Sequence, residues 1–451
     1  MSGTESRVLG RRVSRRSFVG TAAAGLSLPL LIPGSSLGLN GATSANERVN
    51  IGAIGVGVRG RHALNSLFPL PDAQVVAACD PRQPRLTSVL EQIERNYAEK
   101  LGRQTYKGCT ACKDFVELLA RSDVDALLVC PPDHWHGVVM TRAAQAGKDM
   151  YGEKPISRTI AEGIMVRDTV RRQGLVFQTG TQQRSDPKFR HACQLVRAGY
   201  IGKVHTVKVA APGGRTYDTE PSCPVPEGFD YDMWSGPAPY IPFDAKRCEW
   251  LAMYMISHYC AGFICNWGVH HLDIAQWGCP EVTREPFELE GSGTFPEEGM
   301  TDTCITWNTT FRYASGLVMS FSNAGNPNEM GCRFEGDEGW VHVDRKGIWA
   351  NPESLLRVQF KPNDEPLHVS PWINSNPYTN HTADFLRSVR NRRDPVSSID
   401  DGHRASTLGN VADIMVRLGR KVRWDWKTER FVDDDQANQL LSRPMRPPWT
   451  L

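Results

Sequence analysis

Two well-separated stretches carry the side chains best suited to moving a proton. The first is Gly152-Glu153-Lys154-Pro155, which follows Asp149-Met150-Tyr151. A lysine at the carboxyl end of a buried strand has apolar neighbours on both faces, and desolvating its ammonium is costly, so a function is one reading. A lysine with its head in water at the strand mouth is the other. The second stretch is Asn266-Trp267-Gly268-Val269-His270-His271-Leu272-Asp273-Ile274-Ala275-Gln276-Trp277. On a helix, positions 266, 270 and 273 share one face, and a neutral histidine there can take a proton from an alcohol or position its hydroxyl. A satisfied core histidine is the plain alternative, more so for His271 than for His270. A third stretch, Gly55-Val56-Gly57-Val58-Arg59-Gly60, suits a pyrophosphate. The first glycine permits a tight turn, the second lets backbone approach the phosphates, and the third lets the helix pack close, with its first amides free for the anion.

These groups work only if strands present them. Val49-Asn50-Ile51-Gly52-Ala53-Ile54 is an apolar run rich in β-branched residues that feeds into the glycine turn, and a helix pattern follows through His62, Ala63, Leu64, Leu67 and Phe68. A second run, 75–79, ends in Asp80, whose carboxylate can accept from both hydroxyls of an adenosine ribose. That favours NAD, since a 2′-phosphate would meet like charge; Arg82 keeps NADP open. Helices over 85–100 and through Phe115 and Leu119 come next, then a strand over 125–130 stopped by Pro131-Pro132. Asp133-His134-Trp135-His136 opens a helix over 138–146, and Gly147 stops it. The strand ending at Glu153, a helix over 159–173 and a strand over 175–179 complete the series. Alternation at this spacing predicts a doubly wound parallel sheet with ligands at the carboxyl ends of its strands, where Gly55, Asp80, Pro131, Glu153 and Gln182 fall.

The second half reads differently. Strand-like runs at 202–209, 301–321, 333–344 and 356–369 have few helices between them, which predicts a large, mostly antiparallel open sheet in an α+β domain; 384–391 and 406–419 look helical. The expected division is a dinucleotide-binding domain over 46–182, a substrate and oligomerisation domain over 183–425, and a tail over 426–451.

Composition sets outer bounds. The chain has 451 residues, 40% hydrophobic and 23% charged, which fits a globular protein with two buried cores. Its 52 basic and 50 acidic residues become 47 and 49 without the first 45, which hold five arginines and one glutamate. A near-neutral body gives no electrostatic reason for a nucleic-acid partner. The first 45 residues read as a targeting segment: Ser14-Arg15-Arg16-Ser17-Phe18-Val19 is a twin-arginine pattern, followed by an apolar run too short to span a membrane and by the small residues 41–45. The expected partner during export is the twin-arginine translocase, and the expected location is the periplasm, with membrane tethering if the segment stays uncleaved. Twelve cysteines show no disulfide framework, and the close pair Cys109 and Cys112 lacks two further ligands for zinc, so no metal is expected.

The glycine turn, Asp80, Pro131-Pro132-Asp133-His134-Trp135-His136, Ala146 to Pro155 and Gly180-Thr181-Gln182-Gln183-Arg184-Ser185 together resemble the Gfo/Idh/MocA oxidoreductases, which include glucose-fructose oxidoreductase and inositol dehydrogenase. The resemblance runs from about Val49 to Trp426 and is close to exported members with twin-arginine signals. It implies a Rossmann domain, a second domain whose late helices pack back on the first, and assembly into dimers or tetramers through the open sheet. It also implies cofactor contacts from Gly55, Gly57, Val58, Arg59, Gly60, Asp80, Pro131, His134, Trp135, His136, Glu153, Lys154 and Gln182. Lys154, with a cis bond to Pro155, and His270 become the catalytic pair; Gln183, Arg184, Asn266, His271 and Trp234 become substrate contacts. One departure stands out: where many members carry an aspartate four residues before the histidine, this chain has Asn266, which cannot accept a proton.

The implied function is an NAD(P)-dependent oxidoreductase acting on a secondary hydroxyl or keto group of a sugar, cyclitol or glycoside. A variant is glycoside cleavage or elimination by transient oxidation with a retained cofactor. A non-catalytic sugar- or cofactor-binding protein on the same fold is the reading from a different class, which Asn266 allows and the intact Glu153-Lys154-Pro155 opposes.

Overall fold

The computed structural model describes residue 44 and residues 47–325, 329–362, 364 and 366–451, so the expected targeting segment lies outside the described residues apart from Ser44. Strands apolar along nearly their whole length build the first sheet, because helices cover both its faces. β1 (Val49–Ile54), β2 (Ala73–Cys79), β3 (Thr110–Ala111), β4 (Ala126–Val129), β5 (Asp149–Gly152) and β6 (Phe177–Thr179) form six strands in the order β3-β2-β1-β4-β5-β6. β1 pairs in parallel with both β2 and β4. The strand order therefore reverses beside β1, and the crevice at the carboxyl ends there is where an open α/β sheet takes its ligand.

Among the described residues the second sheet has nine strands: β7 (Val204–Ala211), β8 (Phe287–Thr294), β9 (Thr306–Tyr313), β10 (Val318–Asn323), β11 (Gly331–Gly336), β12 (Gly339–Val343), β13 (Ile348–Asn351), β14 (Val422–Asp425) and β15 (Arg430–Phe431). Their order is β13-β12-β11-β7-β10-β9-β8-β14-β15, and β7 with β10 is the parallel pair in an otherwise antiparallel sheet. Residues of β9 alternate between buried and accessible, the signature of a sheet covered on one face. The covered face packs Val207, Phe311 and Met319 against Phe189 and Leu195 of the helix Pro187–Arg197 and Leu272 and Ile274 of the helix Gly268–Gly278. This is the expected α/β class, a parallel sheet followed by a mostly antiparallel open one. The run 356–369 differs from expectation. Its described residues form the end of a 3-10 turn, Glu353–Arg357, and then irregular chain. Pro362 and Pro366 lack the amides a ladder needs.

The chain from Arg48 to Leu451 packs as one compact unit. The helix Pro377–Asn391 buries Ala383, Phe385 and Leu386 in the same core as Ile51, Val75 and Tyr151 of the first sheet. Ile399, at the start of the helix Ile399–Leu418, joins the core on the other side of that sheet, with Ile54, Val129 and Phe177. Residues 426–451, expected as a tail, add β15 to the large sheet and then run to the first one. Arg443 pairs with buried Glu162 at 2.6 Å, and the Trp449 ring lies 4.6 Å from that of Trp135.

Candidate active site

The glycine turn after β1 has the backbone its sequence demands. Gly55 sits at φ +77°, and a Cβ there would lie 2.6 Å from the Pro131 nitrogen; one on Gly60 would lie 2.1 Å from the Gly55 oxygen. Gly60 thus serves close packing and does not line the cleft, whereas Gly55, Gly57, Val58 and Arg59 do. The helix Val58–Leu67 has no side-chain cap and no acidic residue in its first turn, so its first amides meet no built-in anion. That is the cradle a pyrophosphate fits.

Asp80 lies on the same wall. One carboxylate oxygen accepts from the Val56 amide and the other from the Arg82 amide, each at 3.0 Å. Burial pushes its pKa up, with Arg85 opposing at 3.7 Å. The Arg82 guanidinium lies 4.0 Å from the Phe229 ring centroid, away from the cleft; Arg85 lines it instead. Pro131, Trp135 and His136 also line the cleft. Trp135 Nε1 donates to the carbonyls of Met233 and Trp234 at 3.1 Å, and the His136 ring nitrogens lie 2.5 Å and 3.0 Å from the carbonyls of Pro155 and Pro131.

At the end of β5, Glu153 Oε1 is 2.6 Å from Arg59 Nη2. Burial works against this carboxylate, but Arg59 outweighs it and holds the pKa below the usual range. The peptide bond from Lys154 to Pro155 is cis. Lys154 Nζ donates to the Asn266 carbonyl at 2.9 Å and to its side-chain Oδ1 at 3.2 Å. Burial lowers the Lys154 pKa against the pull of Glu153 and Asp133. Asn266 Nδ2 in turn donates to Asp133 Oδ2 at 2.9 Å.

The expected continuous helix through Asn266 is broken. Phe263–Asn266 and Gly268–Gly278 are separate segments flanking Trp267. A Cβ on Gly268 would lie 2.6 Å from the Phe321 ring, so glycine lets the second segment sit against the large sheet. His270 lines the cleft beside Lys154, Asn266, Trp234 and Tyr254. Its Nδ1 is buried without a partner among the described residues. Burial, then Lys154 and Arg345, put its pKa well below the ordinary histidine value, so the ring is neutral.

Five residues expected at the ligand do not line the cleft, Gly60 aside. His134 is fully buried, its Nε2 donates to the Trp234 carbonyl at 2.9 Å, and burial lowers its pKa to about 3. His271 is fully buried too, 3.3 Å from Gln183 Nε2, with a pKa also near 3. Gln182 donates to Glu153 Oε1 at 3.2 Å and to the Tyr151 hydroxyl at 2.5 Å, one layer beneath the surface. Gln183 donates to the His270 carbonyl at 3.2 Å and accepts from Arg345 Nε at 3.1 Å. Arg184 forms a bidentate pair with Asp273 at 2.8 and 2.7 Å and donates to the Val396 carbonyl. The last four brace the elements that hold Lys154 and His270: Gln182, Gln183 and Arg184 spend their polar atoms on protein partners, and His271 is held through Nδ1 while its Nε2 is buried without a partner among the described residues. Conversely, Asp133, Trp267, Arg345 and Tyr378 line the cleft, and sequence reasoning gave them no role. The Arg345 guanidinium lies 4.5 Å from the Trp267 ring centroid and that of Arg59 lies 5.0 Å from the Tyr378 ring centroid. Asp133 had a signal, an acidic residue opening a helix after two prolines, but that pattern equally suits a helix dipole.

Residues 49–181 match a family model described as an oxidoreductase family, NAD-binding Rossmann fold, and residues 195–451 match one described as an oxidoreductase family, C-terminal alpha/beta domain. The chain is 24% identical over 382 residues to a myo-inositol 2-dehydrogenase of Thermotoga maritima, across 83% of this chain and 98% of that protein. It is 29% identical over 304 residues to a scyllo-inositol 2-dehydrogenase (NAD(+)) of Bacillus subtilis, across 66% of this chain and 74% of the relative. In fold it is similar to levoglucosan dehydrogenase solved with NADH and levoglucosan, at a TM-score of 0.59 and 16% identity, covering 83% of this chain and 99% of that one.

Proposed function

We propose, for a chain that belongs to the Gfo/Idh/MocA oxidoreductase family, that the cleft at the β1–β4 switch point oxidises a secondary hydroxyl of a sugar or cyclitol, or reduces the matching ketone, with NAD. The observation that carries this reading is the meeting of Lys154 and His270 on a cleft whose other wall is the glycine turn and Asp80. Gly55, Gly57, Val58 and Arg59 would hold the pyrophosphate and Asp80 the adenosine ribose, while bound NAD supplies the hydride acceptor.

The remaining chemistry belongs to the chain. Two donors of Lys154 Nζ are taken by Asn266. In the neutral amine the third position is a lone pair that can take the proton of a substrate hydroxyl; in the ammonium it is an N–H that can return one to a ketone. His270, neutral and with an unpartnered ring nitrogen, can accept a hydrogen bond from the hydroxyl and fix its direction.

Export through the twin-arginine route to the periplasm is part of this proposal, supported by the pattern at residues 14–19. So is homo-oligomerisation through the open face of the large sheet, where Trp349 is exposed in a hollow lined by Lys208, Arg333 and Trp340.

The test begins with nucleotide. Protein recovered from a periplasmic fraction is denatured and its supernatant assayed for nicotinamide nucleotide, and NADH is titrated into the refolded protein. Myo-inositol, other cyclitols and sugars are then screened by NADH absorbance. If nucleotide is neither carried nor bound, the oxidoreductase reading falls.

A further inference from the structure

A carboxylate that the proposed chemistry has not used sits two hydrogen bonds from the Lys154 amine. Asp133 is the first residue of the helix Asp133–Gln145, 4% exposed, and it lines the cleft. Its Oδ2 accepts from Asn266 Nδ2 at 2.9 Å and from Cys260 Sγ at 3.1 Å. An amide has one donor end and one acceptor end. Because Nδ2 is committed to Asp133, Oδ1 must face Lys154, where it accepts at 3.2 Å. A neutral Asn266 can orient the amine but cannot balance its charge.

We propose that Asp133 is a positioning residue for Lys154: acting through the Asn266 side chain, it fixes which face of the amine is spent on protein and supplies the negative charge that an amide cannot.

The charged surroundings are otherwise matched or opposed. Glu153, at the end of the same strand, is paired with Arg59 from the helix Val58–Leu67. His270, from the helix Gly268–Gly278, is neutral, and so is the thiol of Cys260, whose pKa burial pushes well up. Asp133 is therefore the carboxylate near Lys154 without a basic partner within ion-pair distance among the described residues. Its negative charge favours the ammonium, so removing it makes the amine lose its proton at lower pH. Asp133→Asn keeps an oxygen that accepts from Nδ2, so it takes away the charge while the amide of Asn266 stays oriented on Nζ.

The inference rests on the oxidoreductase reading for its purpose, but its test needs no substrate. Folded full-length protein is labelled competitively with acetic anhydride across a pH series, and peptide mass spectrometry reads the titration of the Lys154 amine directly. In Asp133→Asn the midpoint is expected to fall by about one unit. The reciprocal exchange, Asp133→Asn with Asn266→Asp, keeps the hydrogen-bond chain while moving the charge next to the amine, and returns the midpoint to the wild-type value or above it. Asn266→Asp alone sets two carboxylates 2.9 Å apart, where they share a proton, and shifts the midpoint less than a full added charge would. Thermal melts and near-UV circular dichroism confirm that each variant is folded, and NADH titration is read separately. A midpoint unmoved in folded Asp133→Asn, or an exchange that fails to bring it back, overturns the proposal. A protein that binds no NADH yet shows the expected shifts would sink the oxidoreductase reading and leave the pairing intact.

Discussion

Glu153→Gln separates the work of one buried charge from that of the shape around it. The carboxylate is 4% exposed and its partner Arg59 17%, with 2.6 Å between them. Losing one member of a buried pair leaves the other desolvated and unmatched, at about 3–5 kcal/mol. Arg59 keeps some contact with water and the new amide can still accept a hydrogen bond, so a loss of about 2–3 kcal/mol is expected. The assay is urea unfolding followed at several pH values, comparing midpoints of variant and wild type. The sign with pH is fixed by the direction of the shift. Glu153 is held below the usual carboxylate range, so its contribution is present above the unfolded value of about 4.3 and drains away as pH falls through the lower folded value. The gap between the two proteins should therefore be widest near neutrality and close in acid. Replacing both partners, Arg59→Leu with Glu153→Leu, should regain most of the loss, because no charge is left stranded. A gap that stays constant from neutrality into acid would refute the electrostatic account and leave packing as the cause.

Other consequences are open to simpler measurements. Arg184→Met strands Asp273, which is fully buried, and is expected to cost about 3–5 kcal/mol in urea unfolding while leaving KM for substrate nearly unchanged, since the guanidinium does not reach the cleft. Arg85→Ala should leave NAD binding little altered and weaken NADP about tenfold in fluorescence titrations, because Arg85 is the cation that lines the cleft beside Asp80. Equal weakening of both nucleotides would remove Arg85 from that choice. Lys154→Met should abolish turnover with NADH affinity retained, and measurable activity would exclude the amine from the chemistry. His270→Asn should lower kcat about a hundredfold without deleting any limb of the pH profile between about pH 5.5 and 8, since the wild-type ring is already neutral there. A limb near the ordinary histidine value that vanishes in the variant would show that the ring does titrate.

What could be read from sequence was whatever the backbone or a short stretch dictates. Gly55 and Gly60 are legible because the turn leaves no room for a side chain, and Asp80 because a strand end fixes its place. Glu153 and Lys154 are legible because their strand is apolar on both faces. Asp133 and Arg345 were opaque for the opposite reason. The partner that gives Asp133 its meaning lies 133 residues along the chain, and Arg345 sits in a turn after β12 whose sequence, Asp344-Arg345-Lys346-Gly347, looks like any exposed connection. The break at Trp267 escaped for a mixed reason: helical spacing was present on both sides, and only the Phe321 ring against Gly268 explains why the axis changes there. Gln183, Arg184 and His271 erred in the other direction. Their motif is at the cleft, but their side chains point into protein, and one register of a helix or turn separates the two outcomes.

The helix Pro377–Asn391 has a consequence for how the molecule comes into being. Because Ala383, Phe385 and Leu386 complete a core that otherwise consists of the first sheet and its own helices, a chain cut near residue 182 would leave an apolar face open to water. The nucleotide-binding half is therefore not a detachable module. During synthesis it stays unfinished until roughly two hundred further residues have left the ribosome, and contacts of that sequence separation fold slowly. Nucleotide capture by a growing chain should follow the emergence of that helix, and attempts to transplant the glycine turn and its sheet into another protein should carry the helix along.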